Sequence, residues 1–229
     1  MVSQIFFSDH HKKLEGQVKD LLNSHGEFLS KETARSPRAV GDAIEEILRE
    51  RFGELLGDVS VEYSADFARR AMADLAFTDT EGFYYVVDVK THRTDTKFNM
   101  PNLTSVERLT RFYEDDKNYF VILMVSYKIA QKSVAVSGVR FVPIEFLRWD
   151  CLTIGALGWG QIQIANSNKV LVDEHPSRRR WMLELCDVML DFYPKEILKV
   201  NSRIERFEEV RQYWLKKAES SPEAERLAA

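Results

Sequence analysis

Apolar positions recur at helical intervals near both ends of the chain and alternate with polar ones through its middle. Leu14, Val18, Leu21 and Leu22 share one face of a helical stretch within the first 39 residues, which ends in a polar loop around Thr33 to Pro37. A clearer helix is predicted from Ala39 to Leu56. Its apolar stripe is Val40, Ile44, Ile47 and Leu48, and Asp42, Glu45, Glu46 and Glu50 lie on the other faces. The period then shortens. Ala71 to Thr78, Phe83 to Lys90, Tyr119 to Tyr127 and Val139 to Leu147 are short, rich in β-branched and aromatic residues, and bounded by turn residues, so they read as strands. Thr78 to Gly82 suits a hairpin connection between the first two. Before the third, Thr104 with Glu107 has the spacing of a capping box, and Val106, Leu109 and Tyr113 continue a helix. A fifth strand, Gln161 to Ala165, follows the glycine-rich turn Gly155 to Gly160.

The C-terminal part returns to helical spacing. One helix is expected from Trp181 to Phe192, stopped by Pro194, and another from Val200 to Lys217. The line Ile204, Phe207, Val210 and Trp214 on the latter reads as packing, and Ser220 to Ala229 as a frayed tail. Helices, then strands with one crossover helix, then helices define an α/β (α+β) chain with a central mixed β-sheet flanked by helices. The expected organisation is one domain over 1–229: an N-terminal helical region at 1–39, a core at 40–170 and C-terminal helices at 171–219.

Composition narrows the class. The 229 residues are 45% hydrophobic and 30% charged, which suits a packed core and argues against global disorder. No apolar run is long enough to span a bilayer, and the N-terminal residues lack the order of a secretory signal. Cys151 and Cys186 form neither a disulfide framework nor a metal-ligand spacing, as expected of a protein in the reducing cytoplasm. There is no glycine-rich phosphate loop and no anchor for Ser-His-Asp catalysis. His10 and His11 read as a solvated pair and His92 as an exposed loop histidine. The basic triplet Arg178 to Arg180 suits either phosphate contact or the start of the helix that follows.

The chemistry concentrates on Tyr84 to Lys90. This segment is apolar enough for a strand buried on both faces, yet it carries Asp88 and Lys90, which a period of two puts on the same face. Asp74 intrudes in the preceding strand, and a hairpin brings it beside them. Buried charges are costly unless paired or used. Two readings follow: a structural ion pair at a strand end, or a site in which two carboxylates hold a divalent cation and a lysine orients or deprotonates water.

The stretch from Ala73 to Asn102 resembles the catalytic core of PD-(D/E)xK nucleases, and most of all the blunt-cutting Type II restriction endonucleases of the HincII and EcoRV group. The points of likeness are Ala73-Asp74, the block Asp88-Val89-Lys90-Thr91, and Pro101-Asn102 at the matching distance beyond it. Ala73 stands where the motif has proline, a departure shared with the HincII branch. More weakly, Gly41 to Glu45 resembles a helix that supplies a further acidic residue, and Gln161 to Gln163 a strand near a DNA-reading loop. The resemblance implies Asp74 and Asp88 as metal ligands, Lys90 as the catalytic lysine, Thr91 as a hydrogen-bonding partner and Glu45 as an additional carboxylate. It implies Mg²⁺ as cofactor, with Mn²⁺ able to substitute. Arg93, Lys97, Asn99, Met100 and Asn102 would approach the minor groove, and Asn99 is shorter than the glutamine that wedges into DNA in that branch. Gln161, Gln163 and Asn166 would lie in the major-groove reader, and Arg178 against a phosphate.

The expected function is therefore a homodimeric, Mg²⁺-dependent endonuclease cutting both strands of a palindromic double-stranded DNA site, with the 1–39 region assigned to dimerisation. It would work in a prokaryotic cytoplasm beside a cognate DNA methyltransferase that need not bind it. A repair or structure-selective nuclease on the same core, and a non-catalytic DNA-binding protein, are the alternatives. The net charge of −4 is compatible with DNA because it is polarised. Lys90 to Arg111 holds five basic and two acidic residues, and Asp42 to Leu56 five acidic and two basic.

Overall fold

The computed structural model describes residues 3–25, 36–65, 73–130, 133–173 and 175–217. The loop expected around Thr33 and the tail at 220–229 lie outside them. The chain divides into two units, Met1–Met182 and Leu183–Ala229.

The first unit is built on a five-stranded mixed sheet of order β1-β2-β3-β5-β6, with β1 Ser60–Ser64, β2 Leu75–Asp79, β3 Tyr84–Arg93, β5 Asn118–Ala130 and β6 Ser133–Pro143. Only β3 and β5 are parallel; every other neighbour is antiparallel. β4 (Asn102–Ser105) and helix α3 (Val106–Phe112) lie on the connection between that parallel pair. β4 joins β7 (Leu152–Gly155) and β8 (Gln161–Ile164) in a second, antiparallel sheet of order β4-β8-β7. Helices α1 (His10–Ser24) and α2 (Pro37–Leu56) pack on the large sheet.

Period-two alternation sorts the two faces of that sheet. Leu75 and Phe77 of β2, Tyr85 and Val87 of β3, and Val121, Leu123 and Val125 of β5 meet α1 and α2 through Leu14, Val18, Leu22, Val40, Ile44, Leu48 and Phe52. Phe77, Tyr85 and Tyr119 stack across three adjacent strands, with ring centroids 4.5 and 5.4 Å apart. The apolar face of α1, in the region assigned to dimerisation, is thus occupied within the chain. Ser36 accepts a hydrogen bond from Ala39 N, and Pro37 takes the first helical position, where its missing N–H costs nothing.

Several boundaries differ from the sequence reading for physical reasons. Thr104 belongs to β4, so α3 begins at Val106 after Ser105 with no side-chain cap. The C-terminal helix is continuous: α4 runs Arg178–Lys216 with Pro194 inside it. Continuing a helix past one lost hydrogen bond avoids a second nucleation. Short-range pairs add support on either side of Pro194, Lys195 with Asp191 and Lys199 with Glu196. Ile204, Phe207 and Trp214, expected to pack, are exposed. Strands β1, β4 and β7, of five, four and four residues, were not read from the sequence. No helix among the described residues is long and apolar enough to cross a membrane.

One buried ion pair organises the end of this unit. Glu145 is 3% exposed and accepts from both Nε and Nη2 of Arg178, at 2.9 and 2.8 Å, and from the Tyr113 hydroxyl at 2.5 Å. The Arg178 guanidinium also donates to Asp116 O and lies 4.4 and 4.3 Å from the ring centroids of Tyr113 and Tyr119. Burial pushes the Glu145 carboxyl upward, and Arg178 and Tyr113 counter it. Arg178→Ala leaves that carboxylate buried without its cation. Urea denaturation should show a loss of about 3–5 kcal/mol, and the pair Glu145→Gln, Arg178→Met should recover most of it.

Candidate functional site

The sequence of β3 makes the site. Val86, Asp88, Lys90 and His92 alternate onto the face opposite α1 and α2, and the parallel register sets Asp88 beside Ile122 and Lys90 beside Met124. Asp88 is 5% exposed. Its Oδ1 accepts from Lys90 Nζ at 2.7 Å, while its Oδ2 is buried with no hydrogen-bond partner.

Asp74 lies one residue before β2, where its N–H still bonds Val87 O across the antiparallel pair at 3.0 Å. Its Oδ2 accepts from Val89 N at 2.7 Å. That bond holds the carboxylate against the backbone of the strand carrying Asp88 and Lys90. Asp74, Asp88 and Lys90 are therefore brought together as their pattern implies.

Glu45 comes from α2 and pairs with Arg49, one turn on, at 2.8 Å. Thr91 marks the close approach of α2 to β3: a Cβ on Gly41 would sit 3.2 Å from Thr91 Oγ1. A side chain at Gly41 would require the Thr91 hydroxyl to give way by a few tenths of an ångström.

The electrostatics of Asp88 follow from this packing. Burial pushes its carboxyl up to about 7; Lys90 opposes the shift, and the charges of Asp74 and Glu45 add to it. Among the described residues no group of three or more His, Cys, Asp or Glu side chains converges in the manner of a closed metal cage. The donor set is instead two acidic oxygens and a lysine. That suits a hard cation that keeps several waters and takes only one or two carboxylates, as Mg²⁺ does. The bare Asp88 Oδ2 fits such an ion, and Asp74 and Asp88 are the residues that would hold it.

The expected nucleic-acid residues fall into three groups. Asn102 and Gln163 are register partners across β4 and β8, and Gln163 Nε2 donates to Asn102 Oδ1 at 2.5 Å. The loop leaving β3 is stitched to the end of β8 and the segment after it: Ile164 N donates to Pro101 O and Ser167 N to Asn99 O. The loop from Arg93 and the turn-strand segment through Gln161 and Asn166 thus form one surface. Lys97 and Met100 are exposed on it, whereas Arg93 is paired with Asp95 at 2.5 Å. Arg178 stands apart, its guanidinium held by Glu145 and Asp116 O.

Sequence reasoning missed four features here. His92 is not on a loop but within β3, which runs on to Arg93; it is 4% exposed, and its Nε2 lies 2.8 Å from Asn168 Oδ1. Asn168 also donates to Thr96 O, clamping the loop, and no local signal marks it. Arg49 was legible as the partner four positions after Glu45. Phe98, Leu157 and Trp159 are 58%, 67% and 58% exposed, and were signalled by large apolar side chains standing between polar residues at Phe98 and among glycines at Leu157 and Trp159.

A scan against protein-family models and a search of the curated proteins each found no match to the chain.

The buried carboxylate carries a stability cost that depends on pH. With a native value near 7 and an ordinary value of 3.8, Asp88 holds a proton in the folded state that the unfolded chain has released. Stability therefore falls as pH rises through that window. Asp88→Asn should melt a few degrees higher than the parent near pH 8 in chelator, and the difference should vanish near pH 4. Thermal melts at both pH values check this.

Proposed function

We propose that the protein is a Mg²⁺-dependent endonuclease of the restriction type, acting as a homodimer on both strands of a palindromic double-stranded DNA site. The single observation that carries the reading is Asp88. Of the buried carboxylates in the described residues, Asp79, Asp88 and Glu145, it alone has a side-chain oxygen without a partner. Asp79 accepts from the Tyr85 hydroxyl and the backbone of Glu81 and Phe83, and Glu145 is satisfied by Arg178 and Tyr113. An unsatisfied buried oxygen beside a second carboxylate and a lysine is difficult to explain as a structural ion pair and fits an ion site.

The mixed sheet with flanking helices is compatible with a restriction-endonuclease-like core. In the proposed reaction water attacks phosphorus in line with the 3′ oxygen, the P–O3′ bond breaks, and 5′-phosphate and 3′-hydroxyl ends result. Lys90 orients the attacking water; the proton that this water loses passes to solvent, and the departing 3′ oxygen takes one from solvent. Asp74, tied to Val89 N, and Asp88 present their oxygens from adjacent strands. A divalent cation there supplies positive charge to the phosphoryl oxygens.

The Arg93 to Asn102 loop is the candidate minor-groove element, where exposed Phe98 and Met100 flank Asn99 as apolar side chains able to press between base steps. The Ile154 to Asn168 segment is the candidate reader of the major groove, whose base edges distinguish all four base pairs. The Asn102–Gln163 hydrogen bond joins the two.

The test is digestion of mixed plasmid DNA with Mg²⁺ and with chelator, followed by end sequencing. Discrete metal-dependent fragments sharing a palindrome, expected with blunt ends, support the reading. A smear points to a nuclease without site specificity, and no cleavage overturns the catalytic assignment. Lys90→Ala should lower cleavage by about 10²- to 10⁴-fold while mobility-shift assays in chelator show unchanged DNA binding.

A further inference from the structure

The second unit presents an apolar seam that stands exposed among the described residues. From Leu183 the apolar residues of α4 recur every seven positions in two interleaved rows. Leu183, Leu190, Ile197 and Ile204 make one row, closed by Arg211, and Cys186, Tyr193, Val200, Phe207 and Trp214 make the other, three residues further on. This is the a and d pattern of a coiled coil, and its period of 3.5 holds through more than four heptads. The rows lie in the open: Leu190 is 73% exposed, Phe207 72%, and Leu183, Ile197, Ile204 and Trp214 are all more than half exposed. Leu215 extends the stripe beside Trp214, while Leu198 and Tyr213 lie off it.

We propose that this seam is a self-association surface, and that its occupant is the same helix of a second copy of the chain. Three observations select that partner. A heptad seam needs a surface whose holes repeat at the same interval, and the same helix provides it in an isologous contact. From Leu183 to Lys217 there are seven acidic and seven basic residues, so the helix has no net charge with which to seek DNA or an anionic lipid surface. The flanking charges suit self-pairing: Arg203, at a g position, meets Glu208 of the second copy in a parallel arrangement and Glu196 in an antiparallel one.

The size is also adequate. Nine exposed a and d side chains at roughly 100 Å² each amount to about 1,800 Å² over two copies, within the range of stable interfaces. This surface names where two copies of the chain would meet, and it does not depend on the catalytic reading.

The test is the mass of the full chain in solution, without DNA or metal, by light scattering on a sizing column. The parent should elute as a dimer at micromolar concentration. Ile197→Glu with Ile204→Glu should elute as a monomer, while Ser202→Glu on the outward face should remain dimeric. Thermal melts monitored by near-ultraviolet circular dichroism should show the same core transition in all three. A monomeric parent, or a double variant that remains dimeric, overturns the proposal. Because mass is read without cleavage, a double variant that remains dimeric leaves the nuclease reading standing, a monomeric parent removes only the preformed homodimer from it, and loss of cleavage leaves the seam intact.

Discussion

Taking a carboxylate out of water is the costliest thing this fold does, and it does so with Asp79, Asp88 and Glu145. The arrangements around them account for much of the architecture. Asp79 closes the β2–β3 turn by accepting from Glu81 N and Phe83 N, with Gly82 supplying the positive φ the turn needs. It also receives the Tyr85 hydroxyl, which lies 2.7 Å from Ser3 Oγ, so the start of the chain is drawn onto the sheet. Glu145 ties the end of β6 to the start of α4. At Asp88 the compensation is incomplete, for Lys90 serves one oxygen and nothing serves the other. Among the three, Asp88 is thus the one whose burial is only half compensated.

How far this was legible depended on the range of the interactions. Asp88 and Lys90 sharing a face follows from strand periodicity alone, and Asp74 joining them needs only a tight hairpin, which the turn residues announce. The reach of α2 toward β3 was indicated by Gly41 to Glu45, although only the structure shows that Gly41 is where the two elements crowd. By contrast Arg178 and Glu145 are 33 positions apart, and a basic triplet before a helix looks the same whether its partner is a phosphate or a buried carboxylate. His92 failed as an exposed residue because β3 is longer than its apolar run, with polar side chains carried along by the ladder to β5. Pro194 failed as a helix stop because the cost of one missing hydrogen bond is local, whereas the helix around it is 39 residues long.

The two sheets divide the labour. The large one holds Asp74, Asp88 and Lys90 on paired strands, where close packing allows little adjustment. The small one hangs from the β3–β5 connection and carries the loops with exposed Phe98, Leu157 and Trp159. Only Thr94 to Pro101 separates the end of β3 from β4.

The turn between β7 and β8 has a different kind of consequence. Its shape is held by its own main chain, with Leu157 N bonded to Gly155 O and Gly160 N to Leu157 O, and by glycines at positive φ at positions 158 and 160. The side chains of Ala156 and Leu157 take no part in those two main-chain bonds. Replacing Ala156 or Leu157 would give that tip a new surface chemistry while leaving both main-chain bonds of the turn in place.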